Sequence, residues 1–320
     1  MTGRICGTGS ALPGQLVTND DLAKIMDTSD EWIKSRTGIT SRHLAVGETT
    51  TALAAEAAER ALENAGEKAA SLDLIIAATV TPDKLFPSLA CEVQREIGAE
   101  NAVAFDISAG CSGFLFALAA VQAYIKSGSC KRALILGAEV LSKIMDWEDR
   151  STCVLFGDGA GAAVVCADEH GIRHISQHSD GTRGMALTCE NRPVNNPYHR
   201  EPERLSYTDM NGQAVYRFAV KTVPESIREA LREAGVTPEE VDCYILHQAN
   251  IRIIKAVADR LGQPMEKFPT NIAECGNVSA ASIPILLDQM NRRGRLKRGN
   301  KIVLAGFGAG LTWGTAVLDW

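Results

Sequence analysis

The sequence predicts an α/β protein assembled from two copies of one unit, and three observations carry that expectation. The first is an internal repeat at a constant offset. Ala61-Leu62-Glu63-Asn64-Ala65-Gly66 returns as Ala230-Leu231-Arg232-Glu233-Ala234-Gly235, Leu72-Asp73-Leu74-Ile75-Ile76 as Val241-Asp242-Cys243-Tyr244-Ile245, and Arg132-Ala133-Leu134-Ile135-Leu136-Gly137 as Lys301-Ile302-Val303-Leu304-Ala305-Gly306, each 169 residues on (61 to 230, 73 to 242, 137 to 306). A shared offset at sites about 70 residues apart marks a duplication. The second is a set of continuous apolar runs bounded by turn residues (74–79, 133–136, 302–305), the pattern of strands covered on both faces in mixed or parallel sheets. The third is segment 112–127, apolar almost all round and so expected as a helix buried on all sides.

The elements follow in chain order. Residues 1–10 read as an apolar, Gly-rich strand, and 51–65 as an amphipathic helix that Gly66 stops. A strand, a turn and the buried helix come next, then a strand ending at Gly137, and the series restarts in the second copy. The boundary between halves is placed at 170/171, giving units 1–170 and 171–320 that meet about a pseudo-dyad. Ligand sites in such sheets lie at strand ends, near where the halves meet. Gly157-Asp158-Gly159-Ala160-Gly161 is expected as a turn between strands. The polar, irregular stretch 180–209 is expected as a loop placed to cover something.

Composition narrows the function classes. The chain has 320 residues, 45% apolar and 22% charged, enough to bury about three quarters of its unfolded surface. Its net charge of −6 argues against a general nucleic-acid or membrane-surface binder. Nine cysteines, an odd number with no CxxC pair, are expected as reduced thiols of a soluble cytoplasmic protein. No metal site is expected. His170, His174 and His178 have helical spacing, but their surroundings read as a strand, on which the last two stand about 13 Å apart. The basic run 292–298 is expected as a solvated helix end and turn.

Four constellations can carry chemistry. In Phe105-Asp106-Ile107-Ser108-Ala109-Gly110-Cys111-Ser112-Gly113 a strand runs into small residues, turns at Gly110 and delivers Cys111 to the start of the buried helix. Backbone N–H groups and the helix dipole there are expected to favour a thiolate. In the second copy a strand ends in His247-Gln248-Ala249-Asn250, and Cys275-Gly276-Asn277-Val278-Ser279-Ala280-Ala281-Ser282 takes the place of the Cys111 elbow, with Asn277 matching Ser108. The pseudo-dyad draws Cys111, His247 and Asn277 toward one centre: a nucleophile, an imidazole and an amide donor. Last, Gly306-Phe307-Gly308-Ala309-Gly310-Leu311-Thr312-Trp313-Gly314 follows a strand and suits close backbone approach to a ligand. Arg217, Arg252, Lys255 and Arg260 add local positive charge, fitting an anionic partner.

Together these residues resemble the β-ketoacyl-acyl carrier protein synthase III family of the thiolase-like superfamily. The marks run from Trp32-Ile33-Lys34-Ser35-Arg36-Thr37-Gly38-Ile39 through the Cys111 elbow, His247-Gln248-Ala249-Asn250 and Gly276-Asn277-Val278-Ser279 to Leu311-Thr312-Trp313-Gly314. The resemblance implies a thiolase-like fold of two βαβαβαββ halves in α-β-α-β-α layers. It implies the first condensation of type II fatty acid synthesis: Cys111 accepts an acyl group from a short acyl-CoA, and the acyl-enzyme condenses with malonyl-acyl carrier protein as carbon dioxide leaves. By the same resemblance Cys111, His247 and Asn277 are catalytic, and the N–H groups of Cys111 and Ala309 form the oxyanion hole. Thr28, Trp32, Arg36, Arg150 and Asn250 bind CoA, with Trp32 and Arg150 sandwiching the adenine. Arg217, Arg252 and Arg260 dock the carrier protein, Phe86 closes the acyl pocket of a neighbouring subunit in a homodimer, and no resident cofactor is needed. Ala309 stands where the family often has glycine, and some docking lysines are absent. Two other readings use the same residues: a related synthase priming alkylquinolone or polyketide assembly, and, remotely, a cysteine hydrolase with the order Cys, His, Asn, whose usual signature around the cysteine is missing.

Overall fold

A computed structural model describes residues 1–202 and 205–320. The strands in chain order are β1 (Thr2–Ala11), β2 (Gln15–Thr18), β3 (Ser41–Leu44), β4 (Leu74–Ala78), β5 (Val103–Ile107), β6 (Arg132–Val140), β7 (Asp158–Asp168), β8 (Ile172–Ser179), β9 (Leu187–Thr188), β10 (Asp209–Met210), β11 (Cys243–Leu246), β12 (Lys301–Gly308) and β13 (Thr312–Asp319). The helices are α1 (Asn19–Leu22), α2 (Asp30–Thr37), α3 (Thr50–Ala65), α4 (Leu89–Ile97), α5 (Gly113–Lys126), α6 (Gly212–Ala234), α7 (Ile251–Leu261), α8 (Ile272–Cys275) and α9 (Ser282–Arg292).

A five-stranded sheet, β1-β7-β6-β4-β5, draws all its strands from the first 168 residues, and a four-stranded sheet, β11-β12-β13-β8, draws all of its from Ile172 onward. β4 lies parallel between β5 and β6, and β11 lies parallel to β12, while the remaining pairings within the two sheets are antiparallel. Alternation along each strand assigns its side chains to two different cores. Ile75, Ala77, Leu134 and Leu136 face α3 and α4, whereas Leu74, Ile76, Ala133 and Ile135 face a central layer of α5 and α9. From the other side that layer receives Cys243, Ile245, Ile302 and Leu304, and the outer face of the second sheet is covered by α6 and α7. The result is the α-β-α-β-α stack expected of a thiolase-like fold.

The central helices account for much of this order. Phe114, Leu115, Leu118 and Val121 of α5 are buried, and each such side chain contributes roughly 1.5–3 kcal/mol relative to exposure. Gln122, the polar residue that interrupts the run, is buried too. Its Oε1 accepts from Gly3 N at 2.7 Å and its Nε2 donates to Thr2 Oγ1 at 2.8 Å, pinning the start of β1. The 169-residue offset holds at β4 and β11, at β6 and β12, and at α5 and α9 (74 to 243, 132 to 301, 113 to 282).

Two local expectations are corrected. Residues 157–161 are not a turn between strands: β7 begins at Asp158, and the glycines are there because β7 passes against α9 and its neighbours. A Cβ on Gly161 would stand 2.6 Å from Ile285 N, and one on Gly157 would stand 2.4 Å from Cys275 O. Segment 180–209 is not wholly irregular, since a 3₁₀ turn spans Gly181–Ala186 and β9 pairs with β10. Residues 203 and 204 of that segment lie outside the described residues.

Candidate active site

The two elbows meet at the centre of the molecule, the first fed by a strand and the second by the short helix α8. In the first, Ala109 leads into a 3₁₀ turn over Gly110–Ser112, with Gly110 at φ +51°, and α5 starts at Gly113. Cys111 thus sits just ahead of the α-helix, not in its first turn. Glycine is required at 110 by φ and by crowding and at 308 by crowding alone: a Cβ on Gly110 would stand 2.8 Å from Ala309 N, and one on Gly308 2.4 Å from Cys111 N. The backbones of Cys111 and Ala309 are therefore held against each other's loops. Thr312 fastens the join, its Oγ1 lying 3.0 Å from Ala109 O, 2.9 Å from Ala309 O and 2.7 Å from Ser112 Oγ.

The second copy supplies the partners. β11 ends at Leu246, and His247 continues it, its N–H donating to Ala305 O at 2.9 Å. The imidazole is 2% exposed, meets Phe307 edge-on at 5.4 Å, and leaves Nδ1 buried without a hydrogen-bond partner. Burial holds its pKa down at about 3, so the ring is neutral at working pH. Asn277 is fixed by its backbone, which donates to Leu155 O at 2.9 Å and accepts from Gly157 N at 3.0 Å. Its Oδ1 accepts from Ser279 N at 2.9 Å, so the amide group is set by its own turn.

Cys111 is 8% exposed, and burial pushes its thiol up to about 11, with the nearby Ser279 side chain opposing the rise and the Glu139 carboxylate adding to it. Burial thus works against the thiolate that the N–H groups of the turn are expected to favour.

Cys111, His247 and Asn277 line one cavity of about 1170 Å³, together with Trp32, Arg36, Arg217, Asn250, Arg252 and Lys255. A smaller cleft of about 560 Å³ by Arg4, Cys6 and Arg298 holds none of the expected site residues. Trp32 and Arg36 lie on α2, and the Arg36 guanidinium stacks over the indole at 4.8 Å. Arg150 also lies over the indole, at 5.3 Å, and donates to Asp27 O. A ring sandwiched between Trp32 and Arg150 needs two van der Waals gaps of roughly 3.5 Å. Arg150 therefore has to swing outward before an adenine can enter. Asn250 caps α7, accepting from Arg252 N at 2.9 Å, while its Nδ2 donates to Arg36 O at 3.1 Å and ties the two mouth helices together. Thr28 is outside the cavity lining, with its Oγ1 buried and unpartnered.

At the mouth the charges differ from the expected set. Arg252, Lys255 and Asp259 line it from α7 and Arg217 from α6, whereas Arg260 lies off this surface, its carbonyl engaged by Arg228. Helical spacing is the reason: 252, 255 and 259 share a stripe and 260 does not. Phe86 is not among the residues that line this cavity and is 86% exposed. Among the described residues no group of three or more His, Cys, Asp or Glu is placed to hold a metal ion, and His174 and His178 lie on β8.

Three site residues escaped the sequence reading. Phe307 and Ser279 were inside quoted motifs without a role, and Glu139 was passed over. The signals were present: Glu139 is a carboxylate inside an apolar strand, and Ser279 matches Gly110 at the repeat offset (110 to 279).

Two family descriptions match the chain: 3-oxoacyl-[acyl-carrier-protein] synthase III over residues 105–181, and the C-terminal part of the same over 231–320. The β-ketoacyl-[acyl-carrier-protein] synthase III of Clostridium acetobutylicum is 51% identical over 318 residues, covering 99% of this chain and 98% of the relative. The chain belongs to the β-ketoacyl-acyl carrier protein synthase III family. The crystal structure of the Aquifex aeolicus VF5 synthase III superposes with a TM-score of 0.94 at 48% identity, covering 99% of this chain and all of that one. A priming β-ketosynthase from the R1128 polyketide pathway also superposes at 0.94, with 36% identity over 99% of this chain and 96% of its own. Membership in the synthase III family leaves the cysteine-hydrolase reading without support.

Proposed function

We propose that this protein performs the initiating condensation of type II fatty acid synthesis, joining a short acyl group from acyl-CoA to malonyl-acyl carrier protein and yielding 3-oxoacyl-acyl carrier protein, CoA and carbon dioxide. The observation that carries the reading is the convergence of a buried thiol, a neutral imidazole and a fixed amide on one cavity. Cys111 attacks the acyl-CoA thioester, the carbon–sulfur bond to CoA breaks, and CoA leaves as the thiol. The N–H groups of Cys111 and Ala309 receive the oxyanion. Malonyl-acyl carrier protein then enters, and His247 and Asn277 donate hydrogen bonds to its thioester oxygen while carbon dioxide departs and the enolate forms. A neutral His247 suits this task, because it donates one proton in a hydrogen bond without competing for the charge. Attack of the enolate on the acyl carbon breaks its bond to Cys111 sulfur, and the expelled thiolate regains a proton from solvent, completing a ping-pong cycle.

CoA is held at the Trp32, Arg36 and Asn250 side of the mouth, with Thr28 and Arg150 at its rim, and the acidic carrier protein meets Arg217 and Arg252. The two halves, 1–170 and 171–320, work as one catalytic body. A homodimer is part of this reading: Phe86, with Leu85 beside it also exposed, reaches the acyl pocket of a second copy. Cys111 and the two substrates supply all the reacting groups, so no resident cofactor takes part. A starter-unit synthase would use the same residues, but the identity to the polyketide priming enzyme, 36%, is well below the 51% to the Clostridium synthase III.

Purified protein given acetyl-CoA and malonyl-acyl carrier protein should release carbon dioxide and form acetoacetyl-acyl carrier protein. Failure of every short acyl-CoA to acylate Cys111, measured by intact mass, sinks the reading. A panel of straight and branched acyl-CoAs, compared by kcat/KM, assigns the primer.

A further inference from the structure

Arg42, on β3, is among the largest side chains that the fold hides completely, and every acceptor of its guanidinium is a neutral oxygen. Nη1 donates to Asn19 Oδ1 at 2.9 Å and to Val17 O at 3.3 Å, Nη2 donates to Val154 O at 2.7 Å, and Nε is buried without a partner. Burial lowers its pKa to about 10, which leaves it charged at neutral pH. A cation taken out of water with no carboxylate against it is costly, and an apolar side chain of similar volume would fill the space without that cost.

The acceptors belong to chain segments that build the active site. Val154, Leu155 and Phe156 line the cavity, and the next hydrogen bonds along this wall are those that fix Asn277: Asn277 N donates to Leu155 O at 2.9 Å, and Gly157 N donates to Asn277 O at 3.0 Å. The stem of Arg42 is packed where the wall meets the elbow, since a Cβ on Gly157 would stand 3.2 Å from Arg42 Cβ and one on Gly276 3.4 Å. The two residues before it grip the elbow from its other side. Thr40 N and Oγ1 donate to Ala273 O at 2.8 and 2.7 Å, and Ser41 Oγ donates to Glu274 O at 3.4 Å, both acceptors lying in α8. Residues 40–42 therefore hold both the chain that leads into Asn277 and the chain that runs beside it. Asn19 extends the clamp toward CoA, its Nδ2 donating to Ile39 O at 2.7 Å and to Oδ1 of Asp30, the first residue of α2, at 2.8 Å.

We propose that Arg42 is a positioning residue for the condensation step, acting through Asn277. The inference rests on the synthase reading above and deepens its second half-reaction. With Oδ1 of Asn277 accepting from Ser279 N, Nδ2 is the donor left for the malonyl thioester oxygen, and its aim depends on where the Asn277 backbone is held. The guanidinium fixes the wall against β3, and the wall fixes Asn277. A planar fork reaches Asn19 and Val154 at once, whereas the ammonium of a lysine is a single point on a flexible stem. Acylation depends on the clamp much less. Cys111 and Ala309 stand on loops that Thr312 joins, and α2 has a separate tie from Asn250 Nδ2 to Arg36 O.

The test separates the half-reactions in the whole protein, in Arg42→Lys and in Arg42→Met. Acylation by acetyl-CoA is followed by rapid quench and intact mass, and condensation by a single turnover of isolated acyl-enzyme with malonyl-acyl carrier protein. Arg42→Met should slow condensation about 100-fold and Arg42→Lys about 10-fold, the partial rescue reflecting the one acceptor that an ammonium reaches. KM for malonyl-acyl carrier protein should stay at the parent value, and acylation should change by less than about 2-fold. Added to Asn277→Ala, Arg42→Lys should slow condensation no further, because the group it positions is gone. Unchanged condensation in Arg42→Lys, acylation that falls as far as condensation, or losses that multiply in the double variant overturn the assignment. Where Arg42→Met gives no folded protein, Arg42→Lys carries the same comparisons. A parent that never forms acyl-Cys111 overturns the synthase reading instead, which separates the two failures.

Discussion

The two elbows share a backbone and differ in everything attached to it. Gly110 at φ +51° and Ser279 at φ +45° hold equivalent places 169 residues apart, each opening a 3₁₀ turn ahead of a buried helix. In the first copy the turn is fed by β5, a regular strand paired along its length with β4, and it presents Cys111. In the second copy the stretch matching β5 is the short helix α8, and Asn277 meets Phe156 of the other half in an isolated bridge. The position matching Cys111 is Ala280. One copy keeps its strand and carries the nucleophile, while the other gives up a strand and carries the polar groups around it. Duplication thus supplies two rigid turns facing each other, and divergence lets one hold the reacting atom and the other surround it with polar groups.

The largest expected effect breaks the first elbow. Cys111→Ala should abolish acyl-enzyme formation and lower overall turnover by at least about 10⁴-fold. Adding Ala280→Cys should not restore it, because a thiol there sits in the turn that serves the first elbow. Detectable acylation at residue 280 would show that the copies are interchangeable. Asn277→Ala strikes the second elbow and separates the half-reactions. Acylation should proceed near the parent rate while condensation with malonyl-acyl carrier protein falls by about 10²–10³-fold. Equal losses in both steps would mean that the copies do not divide the work.

A smaller effect compares the turns themselves. Gly110→Ala forces a Cβ to within 2.8 Å of Ala309 N at a φ that alanine avoids, so the protein should lose about 1–3 kcal/mol of stability and acylate about 10-fold more slowly. Ser279→Gly relieves strain at the matching position and should change stability by less than about 1 kcal/mol. Urea unfolding of the two variants measures the contrast. A stable Gly110→Ala protein would show that Ala309 yields easily.

The sequence made the scaffold legible for a physical reason: strands buried on both faces and a helix buried all round leave apolar runs that little else imitates, and the repeat orders them. Cys111 and Asn277 were legible because they fall in the two loops that the repeat pairs, and His247 because it follows the end of an apolar strand. What escaped reading was what depends on depth. The rise in the Cys111 pKa comes from burial, which a helix-terminus argument from local sequence does not include. Glu139 was hidden inside a strand whose apolar pattern drew the eye, and the donors that hold it, Thr79, Val80 and Thr81, lie some 60 residues away. Residues 157–161 were misplaced because glycines read as turn formers when the cause is the close passage of α9.

The smallest predicted effect tests the mouth, where helical phase decides between neighbouring charges. Arg252 and Lys255 share a stripe of α7 that lines the cavity, whereas Arg260 lies off it and Asp259 on it. Arg252→Glu should raise KM for malonyl-acyl carrier protein by about 10-fold with kcat little changed, an effect that weakens as salt is added. Arg260→Glu should move the same KM by less than about 2-fold, since a charge facing away across solvent is screened. Asp259→Asn should lower KM slightly by removing repulsion toward an acidic partner. Equal effects at 252 and 260 would place the carrier protein further around α7 than the cavity mouth and reassign the docking surface of the second copy.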